Sequence, residues 1–166
     1  FYFVFSQNMR DLGTPVYPKY LFELSQKLFD QNLSTIVVYK KNKPVAAGIT
    51  IGEKQTTEIL WRSSLRSENY YSPNMLMYWE AIKNACSEGS LFFDFGRASL
   101  DSGTYKFKEQ WGALPFPLYW YYHSKPQNIP DISPKSAKFE FLVRAWQKLP
   151  VKIANILGPY LTKSLP

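Results

Sequence analysis

The chain is poor in the residues that build most metal sites, disulfides and nucleophilic triads. It has one cysteine, Cys86, and one histidine among its 166 residues. One cysteine cannot form an internal disulfide, and together with one histidine it cannot supply a zinc-type ligand cluster. We also do not expect a Cys-His or Ser-His-Asp hydrolase. We therefore expect metal-free chemistry in a reducing compartment, with Cys86 as a small hydrophobe that faces the core from a helix.

Long apolar segments are also absent. No window approaches the roughly 18 to 20 apolar residues that a bilayer-spanning helix needs, so we expect a soluble or peripheral chain. The opening run, Phe1 to Phe5, has neither an initiator methionine nor a basic segment before it, and it does not read as a signal peptide. Its composition is typical of a β-strand whose first residues precede Phe1, which suggests that the chain is a fragment of a longer protein.

Apolar and aromatic residues, in contrast, are abundant. With 45% hydrophobic and 17% aromatic residues, the chain can bury a sizeable core as one globular domain. The formal net charge is +7, and residues 123–166 hold seven Lys or Arg against two acids. Such a basic tail can contact anionic lipid, nucleic acid or phosphorylated ligands, or it can form a solvated surface.

Apolar periodicity and turn residues predict an alternating series of helices and strands. The predicted elements are a helix over 17–30, three strands over 35–39, 45–51 and 57–65, a helix from Pro73 through Cys86, a strand over 91–95, a helix over 104–111 and a strand over 117–122. The first three strands should form an antiparallel meander. The strand at 91–95 is continuously apolar and is expected to be central in the sheet.

This order predicts an α/β (α+β) fold with a mixed, mostly antiparallel sheet flanked by helices. It looks like the GNAT acyltransferase fold, which we assign to residues 1–122. Residues 123–134 hold three prolines and are predicted to be a linker. Residues 135–166 follow helical spacing and are predicted to be a basic amphipathic extension, in which Pro150 should kink the helix.

The most informative stretch surrounds the loop after the predicted strand at 91–95. It reads FDFGRAS at 93–99, GTYKFK at 103–108 and WGA at 111–113. With NMRDLGTP at 8–15, WRSSL at 61–65 and PNMLMYWE at 73–80, the chain resembles FemAB-like proteins, especially the branch associated with PEP-CTERM and exopolysaccharide systems.

FemAB-like proteins are built from two GNAT-like domains in tandem, and this chain resembles the second, which makes the first domain its missing partner. The resemblance implies a cytoplasmic N-acyltransferase, active at the inner face of the membrane. It would transfer an aminoacyl or acyl group to an amine on a peptidoglycan, exopolysaccharide or other cell-envelope precursor. It implies no tightly bound cofactor, a donor such as aminoacyl-tRNA, and as partners a glycan or nucleotide-sugar precursor and tRNA. Peripheral contact with an anionic membrane is expected from the basic tail instead.

Two cations are the leading candidates in the motif. Arg97 follows the strand with a planar fork suited to phosphate or carboxylate, although it could equally pair with a nearby acid and fix the loop. The family's functional lysine maps onto Lys108, our catalytic candidate, whose cation would hold a precursor phosphate or stabilise the oxyanion of the attacked ester. Lys106 lies about 200° round the helix and should point away. The alternative for Lys108 is an ordinary solvated lysine.

The remaining substrate-binding candidates lie in the same loop and helix or at the end of the third strand. They are Ser99, Gly103, Tyr105, Trp61, Arg62, Ser63 and Asn74. Gly96 and Gly103 bracket a loop in which backbone can approach a ligand closely. The residues at the strand end would either line the cleft or have only a structural role at the end of the strand. The aromatic residues of the motif would either stack on a ligand or pack in the core. No general base stands out.

The segment between the third strand and the second helix disfavours coenzyme A. GNAT enzymes that use this donor carry there an Arg or Gln, two residues, Gly, one residue, Gly or Ala pattern, whose backbone N–H groups hold the pyrophosphate. Here residues 64–73 read SLRSENYYSP, without glycine. A donor carried by tRNA, or held in the missing domain, fits better.

A non-catalytic module is the alternative function. In this interpretation the sheet binds a glycan precursor or a partner, and the helix that carries Trp146, Lys148 and Lys152 docks on a membrane. The same helix would also suit burial against the missing first domain.

Overall fold

A computed structural model describes residues 1–119, residue 121 and residues 137–163. The helices are α1 (Tyr2–Leu12), α2 (Lys19–Phe29), α3 (Pro73–Ser87), α4 (Gly103–Glu109), α5 (Ala137–Gln147) and α6 (Val151–Thr162), and the strands are β1 (Leu33–Lys40), β2 (Lys43–Glu53), β3 (Thr56–Ser64) and β4 (Phe92–Asp94). Short 3₁₀ turns span Asp30–Asn32 and Arg66–Tyr71. The chain divides into two compact units, one formed by Phe1–Gly96 with the chain from Leu142 onward, the other by Arg97–Phe141.

The four strands lie side by side in chain order. The pairs β1–β2 and β2–β3 are antiparallel, and β4 runs parallel to β3. The β1–β2 hairpin turns through Lys41 and Asn42, whose φ angles of 45° and 65° are those of a primed two-residue turn. The predicted meander and the mixed, mostly antiparallel fold class are therefore confirmed.

Strand β2 is the middle of the larger unit, since its residues 45–50 are all buried. On one face Ile49 joins a core cluster with Phe5 and Phe22 from α1 and α2. Next to it Gly48 takes the opposite face, where an added Cβ would lie 3.1 Å from Sδ of Met77 on α3. The absence of a side chain at Gly48 thus lets α3 pack closely on the sheet.

The predicted N-terminal strand is wrong, because residues 2–12 form helix α1. Aromatic residues favour strands by composition, but the spacing of Phe1 and Phe5 places their rings on one helical face, 5.1 Å apart. Both rings also contact Phe22. The helix ends at Gly13, whose φ of 80° is the left-handed cap that glycine adopts readily.

Two expectations about burial are also wrong. Cys86 is exposed, because the buried stripe of α3 recurs every four residues through Met77, Ala81 and Ala85, and Cys86 lies about 100° beyond it. Strand β4 is an edge strand of three residues, and Phe92 is 65% exposed. An apolar run indicates a buried strand only where neighbours cover both of its edges.

The predicted strand at 117–122 is not found at its described positions. Residues 117–119 and 121 have no regular secondary structure, and residues 120 and 122 lie outside the described residues. Aromatic content favours a strand here, but a strand also needs a partner for its backbone groups. The predicted linker at 123–134 lies outside the described residues.

The C-terminal extension forms two helices rather than one kinked helix, since Pro150 is the N-cap of α6. The turn between them is fixed to the end of α1, where Arg10 Nη1 donates to the Leu149 carbonyl at 2.9 Å. Helix α6 packs on the segment after α1, and an added Cβ at Gly158 would lie 2.7 Å from the backbone nitrogen of Val16. Among the described residues, no helix has the length and hydropathy to cross a bilayer.

A carboxylate links the turn after β3 to the β1–β2 hairpin. Glu68 accepts hydrogen bonds from Nζ of Lys40 at 2.8 Å and of Lys43 at 3.4 Å, and the Lys40 ammonium lies 3.6 Å from the ring centroid of Tyr71. The hydrogen bond from Lys40 is the largest of the effects that hold the pKa of Glu68 below its usual range, and burial opposes them.

We predict that Gly158→Ala destabilises the chain by about 1–3 kcal/mol, because the new methyl group meets the Val16 backbone, which has little freedom to move. Urea unfolding measures the change. The matched control is Gly103→Ala, where nothing lies within 4 Å of the added Cβ and the change should stay within about 0.5 kcal/mol. Equal stability of Gly158→Ala and wild type would contradict the close contact between α6 and Val16.

We predict that Glu68 stabilises the fold only where it is ionised. A carboxyl group with a lowered pKa in the folded state contributes stability above its unfolded pKa of about 4.3 and loses it as the pH falls through the folded pKa. The Tm difference between wild type and Glu68→Gln should therefore be largest near neutral pH and shrink as the pH falls through the lowered pKa of Glu68 in the folded state. Glu53→Gln, at an exposed pair with Lys54, is the control and should show no such dependence.

Candidate active site

The loop and helix that carry the sequence motif lie in the smaller unit. Helix α4 begins at Gly103, and its N-cap residue Ser102 accepts a hydrogen bond from the Tyr105 backbone N–H to its Oγ at 3.1 Å. Before it, the Ser102 N–H donates to the Ser99 carbonyl at 3.2 Å. The loop is thus ordered by its own short-range hydrogen bonds.

Lys108 is a buried cation of this unit. Its residue is 6% exposed, and its Nζ donates to the backbone carbonyl of Arg97 at 2.8 Å. Lys106, two residues earlier, is exposed, as the helical spacing predicts. Burial strengthens the field of an ammonium because less water screens it, so Lys108 can act on a developing negative charge if a substrate reaches it.

The other predicted residues of the loop and α4 have different surroundings. Arg97 and Ser99 have exposed side chains, and Tyr105 is half-buried. Gly103 does not need its glycine, because its φ is not positive and an added Cβ meets nothing within 4 Å. The open space around Gly103 leaves close approach of a ligand to its backbone as a prediction.

Gly96, which ends the larger unit before the loop, does have a positive φ, 69°. Its N–H donates to Oδ1 of Asp94 at 2.7 Å, so the Asp94 carboxylate braces the strand end. Within the smaller unit, the rings of Phe107 and Trp111 pack edge-to-face with centroids 6.5 Å apart. This geometry favours packing over a free stacking platform for both rings.

Two of the predicted residues at the end of β3, Trp61 and Ser63, make contacts inside the larger unit. Trp61 is partly buried and packs edge-to-face on Phe22 at 5.1 Å. Ser63 is buried, and its Oγ accepts a hydrogen bond from Nδ2 of Asn8 at 3.1 Å. Both side chains thus make contacts inside the larger unit, and a role in lining a cleft stays a prediction for both.

Arg62 and Asn74 keep more freedom to meet a substrate, since both are half-buried. Arg62 interacts with Tyr78, whose pKa is raised by burial, while the guanidinium charge and hydrogen bond act to lower it. Asn74 lies in the first turn of α3. Within the larger unit these are the polar candidates that the structure leaves at the carboxyl end of β3.

A β-bulge next to these residues was not predicted from the sequence. Ile49 pairs with Trp61 and the next residue of β2 pairs with Ile59, so Leu60 is an extra residue in β3. Nothing in the residue types signals it, because a bulge depends on the register of the paired strand. Bulges bend a strand and are over-represented beside active sites.

The same strand has an unpaired edge. Pairing of β3 with β4 ends at Glu58 and Asp94, whereas β3 continues to Ser64, and within the described parts of the chain no strand pairs with that edge of residues 59–64. Backbone donors and acceptors along such an edge can bind an extended group of a substrate. The bulge and this edge are the main geometric candidates in the larger unit.

The segment between β3 and α3 forms the 3₁₀ turn Arg66–Tyr71 rather than a glycine loop. The N–H groups of Glu68, Ser72 and Met75 donate to backbone carbonyls of the same segment, and Pro73 has no N–H. These three amides are therefore occupied, and the expectation against coenzyme A stays a prediction.

An open depression of about 260 Å³ lies elsewhere on the larger unit. Its lining comprises Val38, Tyr39, Lys40, Val45, Glu68, Tyr71, Pro73 and Leu76. None of the predicted site residues is among them. Its charged groups already pair with each other, through Lys40 and Glu68.

Comparison with solved structures shows how widely this fold recurs. AAC(6')-Iy, in complex with the bisubstrate analogue CoA-S-monomethyl-acetylneamine, has a TM-score of 0.58 at 8% identity, covering 72% of this chain and 88% of its own. An acetyltransferase from Trypanosoma brucei has a TM-score of 0.54 at 11% identity, covering 73% and 93%. The aminoglycoside acetyltransferase meta-AAC0020, from an uncultured soil metagenomic sample and in complex with sisomicin, has a TM-score of 0.51 at 18% identity, covering 62% and 74%.

These similarities are all below 25% identity and establish the fold alone. Among curated proteins, no sequence matches this chain. The family model described as acetyltransferase (GNAT) domain matches residues 2–109, which is more than half of the chain. The expectation of an acyltransferase is thereby confirmed at the level of the family: the chain belongs to the acetyltransferase (GNAT) domain family.

Proposed function

We propose that the chain is the second GNAT-like domain of a FemAB-type N-acyltransferase. Its reaction is transfer of an aminoacyl or acyl group to an amine on a peptidoglycan, exopolysaccharide or other cell-envelope precursor, on the cytoplasmic side of the membrane. The family membership supports the reaction class, and the FemAB-like motif at 93–113 supports the finer assignment. A first GNAT-like domain is its proposed partner.

The observation that carries the proposal is the burial of Lys108. A lysine in a solvated helix would extend into water, but Lys108 turns inward and donates to the Arg97 carbonyl at 2.8 Å. The position is the one at which the FemAB-like pattern has its functional lysine. A fixed ammonium at the motif position is what stabilisation of an oxyanion or a precursor phosphate requires.

In the proposed reaction, the neutral amine of the acceptor attacks the carbonyl carbon of an ester-linked acyl donor. A C–N bond forms, the C–O bond of the ester breaks, the amine loses a proton, and the leaving oxygen gains one. The Lys108 ammonium is proposed to stabilise the negative charge that develops on the carbonyl oxygen. Within the smaller unit the proposed substrate contacts are Arg97, Ser99 and Tyr105. Taken by itself, the larger unit offers Arg62 and Asn74 as substrate-binding candidates.

An aminoacyl-tRNA or another activated ester is the proposed donor. The occupied amides before α3 argue against a pyrophosphate in this domain. The aminoglycoside acetyltransferases of similar fold support an amine on a sugar as the acceptor class, because their acceptors are named as aminoglycosides. Nucleotide-linked or lipid-linked amino sugars and peptides are therefore the acceptors to test first.

We predict that Lys108→Met lowers kcat at least about 100-fold in the complete protein, since removing one transition-state donor typically costs this much. Amide formation from labelled aminoacyl-tRNA and an amine-bearing precursor measures it. The matched control is Lys106→Met, on the same helix but exposed, which should keep kcat within about twofold of wild type.

Thermal unfolding separates this role from a purely structural one. The rates are compared at a temperature at which each variant is folded, because Lys108→Met also leaves the Arg97 carbonyl without one of its donors. An unchanged kcat, or a loss that only follows the unfolded fraction, would remove Lys108 from the chemistry. Rapid acyl transfer from acetyl-coenzyme A alone would overturn the proposed donor.

A further inference from the structure

Helix α6 differs from an ordinary surface helix in the size of the side chains that it buries and exposes. Its buried positions are small, Ala154 and Gly158, while its large apolar side chains point outward. This outer face of α6 consists of Ile153 (44% exposed), Ile156 (66%), Leu157 (44%), Tyr160 (70%) and Leu161 (45%). At 100° per residue these side chains cover an arc of about 140°, and the buried Ala154 and Gly158 project beside it, about 20° and 60° beyond Leu161.

Contacts with α1 and with the segment after it fix the orientation of the outer face of α6. Gly158 lies directly on the Val16 backbone, and the turn before α6 is held to α1 by Arg10 and by Gln147, whose Nε2 donates to the Asp11 carbonyl at 3.1 Å. The helix therefore cannot roll to bury its apolar side chains without breaking these contacts. An apolar stripe fixed in this orientation needs an external partner to leave water.

The charge around the outer face is of one sign. From residue 141 to residue 163 the chain has four cations, Arg144, Lys148, Lys152 and Lys163, and no acidic residue. On the helical projection Lys152 and Lys163 fall within about 20° of each other, along one border of the apolar arc. Lys163 also lies near the ring of Tyr160, with Nζ 5.9 Å from its centroid.

We infer that the outer face of α6 binds an anionic lipid surface. The helix has 12 residues, so it is about 18 Å long and would lie in the interface rather than cross it. Its apolar residues would enter the acyl boundary, the Tyr160 ring would sit at the headgroup level, and the bordering lysines would reach lipid phosphates. This inference does not depend on the acyl-transfer proposal.

The one-signed charge disfavours the other occupants of the same face. A second copy of the chain would bring two basic faces together, and like charges across such an interface repel. A partner protein, including a preceding domain, would need an acidic rim around an apolar groove. From residue 141 to residue 163 this chain has no acid that could pair with a basic rim. An anionic membrane supplies both the apolar layer and the negative charge.

Vesicle co-sedimentation of the folded chain tests the inference. We expect binding to vesicles of phosphatidylcholine with phosphatidylglycerol, weaker binding to phosphatidylcholine alone, and a decrease in binding as salt is raised. The double variant Ile156→Ser with Tyr160→Ser should lower partitioning at least about tenfold, because it removes apolar surface from the contact. Lys152→Gln with Lys163→Gln should weaken binding only to the anionic vesicles.

The matched control is Leu28→Ser with Tyr20→Ser on α2, where the side chains are 71% and 63% exposed, and it should bind like wild type. Circular dichroism verifies that all variants fold. Equal loss of binding in the α2 control, or no binding to anionic vesicles by wild type, would overturn the inference. Self-association that Ile156→Ser with Tyr160→Ser abolishes would also overturn it and assign the face to a second copy.

Discussion

The larger unit depends on the burial of both faces of β2. Residues 45–50 have no solvent-facing side, so the helices α1 and α2 must cover one face and α3 the other. Gly48 makes this possible on the α3 side, because any side chain there would press on Met77. The position of the β3 end, with its bulge and unpaired edge, follows from its pairing with this buried strand.

Much of the fold could be predicted from the sequence because its signals are local. Helical spacing predicts α2 and α3, and turn residues predict the hairpin, as Asn42 shows with its positive φ. The wrong predictions arise where the composition of a segment favours one structure and its neighbours in the fold favour another. Phe1 and Phe5 are strand-like residues that pack as a helical pair, and the apolar residues of β4 lie on an edge because the sheet ends there.

The candidate site could be predicted only in part for the same reason. Spacing on one helix predicts that Lys106 and Lys108 point in different directions, and the FemAB-like pattern selects Lys108 as the inward one. The structure agrees, since Lys108 is buried and Lys106 exposed. Trp61 and Ser63 could not be separated from cleft residues by sequence, since their partners Phe22 and Asn8 lie far away in the chain. The bulge at Leu60 is a property of strand register, which residue types do not encode.

The fixed position of the Lys108 ammonium is the feature on which the proposed chemistry depends, and competitive labelling of the lysine amines tests it most directly. Trace acylation of the folded chain, followed by mass spectrometry, compares Lys108 with its exposed neighbour Lys106. We expect Lys108 to react at least about tenfold more slowly, because its amine must first give up the hydrogen bond to the Arg97 carbonyl and its burial restricts the approach of reagent. Equal reactivity of the two lysines would contradict a buried ammonium bound to the Arg97 carbonyl.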